Sequence, residues 1–337
     1  MDDLVAGKLT PIGTLARCII GFAAALISAA IVATTASAQS ADTYPERGIQ
    51  IIVPFPPGGS VDVLGRTIAQ KLNEAWGKPV VVENRAGAST IIGTTALAKA
   101  PPDGYTLMIA VSSHTTNPSL SAKLPFDPRK DFASVSLLAR APVVLYAHPS
   151  FPPNNLKELV AYAKTQDKGL NFASAGVGTM THLTAEQFKA TAKVEMTHII
   201  YRGGTPAMND LIAGHLPMQF GTVGQALPQY KAGALKALAV SSETRYPSIP
   251  EVPTFKEQGF DVVTTEWFGL LAPAGTPNPI IDKLNAEMKR ILKSPDLGER
   301  LTAIELATST PAELDAFILA ETNRWSPLIK SLKLTIE

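Results

Sequence analysis

The sequence predicts an α/β chain built on a mainly parallel sheet and divided into two domains. Three observations carry this. Short apolar runs alternate with segments of helical period along most of the chain. Twice, such a run leads into a loop of glycines and small residues and then into a helix. Once a leader is set aside, about 300 residues remain, more than one core usually organises.

The leader is residues 1–38. Lys8 and Arg17 precede or open an apolar run from Cys18 to Ala33, and Ala36-Ser37-Ala38 has the small-residue pattern of a cleavage site. Gly21 and Ser28 interrupt the run, which falls short of the roughly 20 apolar residues a membrane span needs. A secretory signal peptide is expected, with the mature chain starting at Gln39 in the periplasm. Cys18 is the only cysteine, so the mature chain has neither a disulfide framework nor thiol chemistry. The net charge is +1, and no basic run or basic-aromatic patch suits nucleic acid.

In the first unit, Ile51-Ile52-Val53 reads as a buried strand. Pro54, Pro56, Pro57, Gly58 and Gly59 then exclude both helix and strand. Ser60 or Asp62 opens a helix with Leu64, Ile68, Leu72 and Trp76 at helical spacing. The first N–H groups of a helix have no partner within it, and the helix dipole favours negative charge there. Neither G-x-x-x-x-G-K-[ST] nor G-x-G-x-x-G occurs in this loop, so a carboxylate suits it better than a phosphate. The alternative is a plain structural turn. Asp62 reads as a capping carboxylate that holds the loop, with a lowered pKa that makes it a poor base.

Pro79 to Glu83 is a second strand, Asn84 to Ala88 a loop, and Ser89 to Ala100 a helix. Tyr105 to Val111 is a third strand. Ligands in such sheets sit at the carboxyl ends of strands. Ser112-Ser113-His114-Thr115 is therefore expected to face the same crevice, with Ser113 and His114 as candidate contacts. The alternative for His114 is a loop-anchoring role. Phe132 to Leu138 leads toward a strand from Val143 to His148, with a crossover between domains near Ala139 to Pro142.

The second domain repeats the device. Leu170 to Ala173 is a strand, Ser174 to Thr179 a small-residue loop, and the helix after it carries Met180, Leu183 and Phe188. Thr197 to Tyr201 is a strand, and Arg202-Gly203-Gly204-Thr205 a loop before a helix starting at Pro206 or Ala207. Met218 to Phe220 is a strand running into Gly221-Thr222, and Leu235 to Val240 is another. The return crossover is placed within Val262 to Ala272, around Trp267. Pro279 to Lys293 is a helix. Thr310-Pro311-Ala312-Glu313 is a capping box that opens the last helix.

The catalytic inventory is thin. There is no G-x-S-x-G or H-E-x-x-H, and the histidines at 114, 148, 182, 198 and 215 lack metal-ligand spacing. No enzyme, metal or cofactor is expected.

The segments IIVPFPPGGSVDVLGR, ENRAGASTIIGTTALAKAPPDGYTL, LPFDPRKDF, FASAGVGTMTHLTAEQFK, YRGGTPAMNDLIAGHL, LKALAVSS and WFGLLAPAGTP, in this order from about Tyr44 to the C-terminus, resemble the successive motifs of the Bug (TctC-type) family. These are periplasmic solute receptors of tripartite tricarboxylate transporters. The resemblance implies a type II periplasmic binding protein, two α/β domains joined by two crossovers and closing like a flytrap. Domain one would hold residues 39–140 and 264–337, and domain two residues 141–263. It also implies a monomer that delivers a small carboxylate to membrane subunits.

The family's mode of binding maps onto Phe55, Pro57, Gly58, Gly59 and Asp62 in the first domain. In the second it maps onto Ser174, Gly176, Gly178 and Thr179, with Tyr201, Arg202, Gly203, Gly204 and Thr222 nearby. The alternative for Arg202 is a structural bond. Ile200 stands where the family often has Pro, and Gly221-Thr222 where members often have Asp or Asn. Amino-acid ligands need an acceptor for their ammonium group, so a di-, tri- or aromatic carboxylate is favoured, the last stacking near Phe55 or Trp267. Asp210, Glu266 or a bound water remain as substitute acceptors. A sensory receptor signalling to a membrane kinase, or a periplasmic enzyme on the same fold, stay as alternatives.

Overall fold

The computed structural model describes residues 43–336, Lys168 excepted. The expected signal peptide and the Gln39 start lie outside the described residues.

Strand β1 (Ile49–Val53) is paired in parallel on both sides, with β2 (Val80–Asn84) and β3 (Thr106–Val111). Two helices make the crossovers, α1 (Ser60–Trp76) and α2 (Ile91–Ala98). Leu64, Ile68 and Leu72 of α1 are fully buried, which is the face their spacing predicts. Burying each such side chain stabilises by about 1.5–3 kcal/mol. Gly77 ends α1 in the left-handed conformation, with its N–H on Asn73 O at 2.8 Å.

The sheet continues through β9 (Thr265–Pro273), antiparallel to β3, and then β4 (Phe132–Ala147). Strand β4 runs 16 residues without a break and serves both halves. Its first part pairs with β9 as far as Pro142. From Val143 it pairs with β7 (Met218–Thr222) on one edge, and from Val144 with β8 (Lys236–Val240) on the other. Beyond β7 lie β5 (Leu170–Ala173) and β6 (Met196–Ile199), all three parallel. A short β10 (Glu305–Leu306) joins β4 at Ala139 and Arg140.

The sheet is thus mixed rather than mainly parallel. Its two parallel halves meet through antiparallel β4 and β9. The chain must cross and return, and the strands that do so run against one another. Local alternation does not show this pairing. It also made two strands of what is one, because Arg140-Ala141-Pro142 carries a breaker where β4 changes partners.

Helix α3 (Ser113–Leu120) follows β3 directly, so the expected loop is a helical first turn. In the second half, α4 (Leu156–Ala163), α5 (Met180–Ala192), α6 (Gly204–Ile212) and α7 (Val223–Lys231) cover the sheet. The chain then returns through β9 to α8 (Asn278–Leu292), α9 (Pro295–Arg300) and α10 (Pro311–Ser331). The capping box on α10 forms as expected: Thr310 Oγ1 accepts from Glu313 N at 3.2 Å, and Glu313 Oε2 from Thr310 N at 2.8 Å. Leu314, near the start of α10, packs in the first half with Trp267 and Leu271. Trp325 and Ile329 pack in the second half with Phe172 and Phe188. Among the described residues no helix is long and apolar enough to cross a membrane.

Candidate functional site

Two strand-to-helix loops, the end of β7, two further strands and the first turns of four helices meet at one place. The β1–α1 loop supplies Phe55 and Pro56, with Gly59 as N-cap of α1. The β5–α5 loop supplies Ala175, and Thr181 stands in the first turn of α5. Gly204 and Thr205 open α6, and Thr222 caps α7. Glu266 and Phe268 come from β9, and Val111 from the end of β3. Together they line a cavity of about 50 Å³. A second cavity of about 240 Å³ shares Phe55 and Ala175 as walls and adds Ala88, Gly176, Tyr201 and Arg202.

The first loop is held from behind. Asp62 is buried, and its Oδ2 accepts from Gly58 N and Arg66 Nε, both at 3.0 Å. Its Oδ1 accepts from Asn84 Nδ2 at 2.8 Å, and the same amide group reaches Phe55 O at 3.0 Å. Burial pushes the Asp62 carboxyl up, but the bonds from Arg66, Gly58 and Asn84 outweigh it and hold the pKa below its ordinary value. Asp62 therefore shapes the loop from within and takes up the Gly58 N–H itself.

The second loop is held by hydroxyls and imidazoles. Thr179 caps α5, its Oγ1 accepting from His182 N at 3.4 Å. Ser174 Oγ pairs with His198 Nε2 at 2.8 Å and accepts from Gly176 N at 3.1 Å. His182 Nδ1 accepts from Gly178 N at 3.1 Å. The rings of His182 and His198 stack with centroids 4.1 Å apart. Burial, with the His182 ring beside it, lowers the His198 pKa to about 3, so His198 stays neutral.

The two halves touch across the cleft. Ser60 Oγ and Thr222 Oγ1 are 2.7 Å apart, and Thr205 Oγ1 donates to Pro57 O at 3.2 Å. At Gly203, φ is +142°, and a Cβ there would lie 2.5 Å from Pro56 Cδ, so only glycine allows this approach.

The electrostatics favour an anion. The N-termini of α1, α5, α6 and α7 all border the smaller cavity, each with backbone N–H groups unpaired within its helix. No lysine or arginine stands among the described residues lining it. Among those described residues Glu266 is the one ionisable side chain. Its Oε1 accepts from Ser112 N at 2.8 Å and Trp267 N at 3.1 Å, yet burial raises its pKa to about 7.

Of the sequence-predicted residues, Phe55, Gly59 and Thr222 line the smaller cavity, and Phe55, Gly176, Tyr201 and Arg202 the larger. Pro57, Gly58, Asp62, Ser174, Thr179 and Gly203 build the walls from behind or join them. Gly178 packs instead on Leu120, which a Cβ would meet at 1.9 Å. Tyr201 gives its hydroxyl to Asp210 Oδ2 at 2.5 Å, so Asp210 is engaged outside the smaller cavity.

Three expectations are corrected. Ser113 and His114 do not face the cleft. The helical turn that starts at Ser113 rotates His114 into the first half, where its Nε2 bonds Pro128 O at 3.0 Å and its ring packs edge-on against Phe132. Ser113 is wholly buried beside it. Trp267 also points away, packing on Phe317 with centroids 5.6 Å apart. Side chains alternate along a strand, so its neighbours Glu266 and Phe268 take the cleft face.

Sequence reasoning missed Ser60, Thr181, Thr205, Gln225 and Phe268. Several of them sit in first helical turns, and the earlier start of α6 at Gly204 is what brings Thr205 in. The available signal was the N-terminal position itself.

Two α/β halves joined by shared strands and closing on a cavity ringed by helix N-termini define a type II periplasmic binding protein, a solute receptor and not an enzyme. The chain matches the family model described as TctC, tripartite tricarboxylate transporter family receptor, over residues 64–334, and it belongs to that family. It is 38% identical over 301 residues to protein BugT of Bordetella pertussis, covering 88% of this chain and 92% of that one. Among solved structures it is similar to the periplasmic binding protein BugD, at 34% identity and a TM-score of 0.82, covering 87% of this chain and 99% of that one. Rpa4515 of R. palustris with adipate is similar at 31% identity and a TM-score of 0.83, covering 87% and 99%. MatC from Rhodopseudomonas palustris with bound malate is similar at 33% identity and a TM-score of 0.79, covering 85% and 100%.

Proposed function

We propose that this receptor is exported to the periplasm, closes its two domains around a small carboxylate, and delivers it to the membrane subunits of a tripartite tricarboxylate transporter. The domains are residues 39–140 with 264–337, and 141–263, hinged where β4 changes partners at Pro142 and where β9 begins. One observation carries the reading: four helix N-termini, from both halves, border one cavity. A carboxylate there receives neutral donors from both sides, so a bound ligand favours the closed state that a membrane partner recognises. The adipate and malate bound by two similar structures support a dicarboxylate. Phe55 and Phe268 add apolar walls between the donors.

The test is a calorimetric titration of the mature protein at pH 6 with malate, adipate, citrate, benzoate, aspartate and glucose. Saturable binding of one or more of the carboxylates, and none of glucose, is expected. Binding of glucose alone would overturn the anion reading.

A further inference from the structure

The smaller cavity holds a contradiction. Four helix N-termini favour an anion, and the one ionisable side chain among the described residues lining it is an acid. A carboxylate ligand would meet Glu266 with no side-chain cation between them.

We propose that Glu266 enters the complex as the neutral acid and donates a hydrogen bond to the bound carboxylate, so that the receptor takes up one proton with its ligand. This rests on the carboxylate reading above and adds a specificity-determining residue to it.

The geometry selects the donor atom. Ser112 N and Trp267 N both aim at Oε1, at 2.8 and 3.1 Å. A proton on Oε1 would face two other donors, so the acid proton belongs on Oε2. The side chain is only 7% exposed, and Glu266 is among the residues that line the cavity. Two carboxylates in contact in a dry site do not both stay ionised; they share a proton, and the macroscopic titration moves up.

The groups around Glu266 do not supply a competing cation. From α10, Glu321 adds negative charge, and Arg324 bonds Glu321 at 3.5 Å. From β4, Arg140 stacks over Phe317. From α1, Asp62 is committed to Gly58, Arg66 and Asn84, and from α3 His114 is committed to Pro128. The Ser112 hydroxyl beside Glu266 is neutral. The free receptor already holds the acid near pKa 7, because burial opposes its charge, and an anion beside it raises that value further.

An ammonium ligand would have the opposite signature. It would pair with ionised Glu266, take up no proton, and bind better as pH rises through 7.

The experiment titrates malate, adipate and aspartate into the mature protein between pH 6 and 9, in buffers of different ionisation enthalpy. For a bound dicarboxylate, uptake approaching one proton per ligand is expected at pH 8, and little at pH 6. Affinity should fall toward tenfold per pH unit above 8. The Glu266→Gln variant carries an N–H donor in place of the acid proton and should lose both the uptake and the slope. A dicarboxylate bound at pH 8 without proton uptake, or an unchanged slope in Glu266→Gln, overturns the inference and leaves the carboxylate receptor standing. Preference for aspartate, lost in Glu266→Gln, also overturns it and makes Glu266 an ammonium acceptor. Binding of none of the three acids by the wild-type protein at pH 6 overturns the parent reading for this ligand class, and the inference with it.

Discussion

Ser60 and Thr222 share a hydrogen bond of 2.7 Å between hydroxyls 162 residues apart, one on the first turn of α1 and the other capping α7. Both side chains are buried, and the bond joins the two halves at the rim of the smaller cavity. Because the bond spans the two halves, the domain opening proposed above would break it. Replacing one partner leaves the other hydroxyl buried and unsatisfied, at a cost of about 1–3 kcal/mol. Thr222→Val is therefore expected to shift the protein toward an open form, seen as a larger radius of gyration in small-angle scattering. Carboxylate affinity should fall about 5- to 150-fold, as that energy range implies. Unchanged scattering and unchanged affinity would show that the bond plays no part in closure.

Gly203 tests the same closure by steric means. A Cβ at this residue would sit 2.5 Å from Pro56 Cδ and 2.9 Å from Pro56 Cγ, across the cleft. Gly203→Ala should block closure and remove binding while far-ultraviolet circular dichroism stays native. Gly233→Ala is the control. It also has positive φ, +74°, but nothing within 4 Å. It should lose stability by about 1–3 kcal/mol and bind ligand as before. If both variants bind equally well, closure does not depend on the Gly203–Pro56 approach.

The parts of this site that were legible in the sequence are those with local chemistry. Pro54 to Gly59 exclude regular structure by composition, and the apolar run before them and the periodic one after them define strand, loop and helix. The loop from Ser174 to Thr179 was readable in the same way. Glu266 enters only as a substitute acceptor beside Asp210, because its position depends on which face of β9 meets the cleft, and that is set by pairing with β3 and β4, far away in sequence. The sole hint was one acid at the head of an otherwise apolar strand. His114 was misplaced for a related reason. Ser112 to Asn117 carries weak helix formers, and only packing against Phe132 and the Pro128 carbonyl decides that the chain turns helical at once. The junction of the two halves, one continuous β4 against β9, is long-range pairing and leaves no local trace.

Glu266 should also shape stability in the absence of ligand. Its folded pKa of about 7 lies above the ordinary carboxyl value of 4.5, so in that window the folded state binds more protons than the unfolded one. Stability then falls as pH rises from 4.5 toward 7, and levels off above. A shift of this size corresponds to roughly 3 kcal/mol as an order of magnitude. Denaturant titrations of wild type and Glu266→Gln across pH 4–9 should diverge in that window, the wild type losing ground as pH rises. A stability difference that stays constant over the whole range would show that the carboxyl titrates normally.

His198 acts in the opposite direction and at lower pH. Its ring is stacked between Phe172, at 5.0 Å, and His182, at 4.1 Å, and its Nε2 is tied to Ser174 Oγ in the ligand loop. Burial and the neighbouring His182 depress its folded pKa to about 3, below the ordinary value of 6.5. The stability it contributes as a neutral ring is therefore complete above pH 6.5 and is lost as pH falls from there toward 3. In that range each pH unit should cost up to tenfold in the folding equilibrium from this residue alone. His198→Gln keeps an amide that can bond Ser174 but removes the titration, so it should unfold at lower pH relative to its own neutral-pH stability than wild type does. Acid denaturation followed by fluorescence separates the two. Parallel curves, with the same loss per pH unit, would mean that the His182–His198 stack is not what limits the ligand loop in acid.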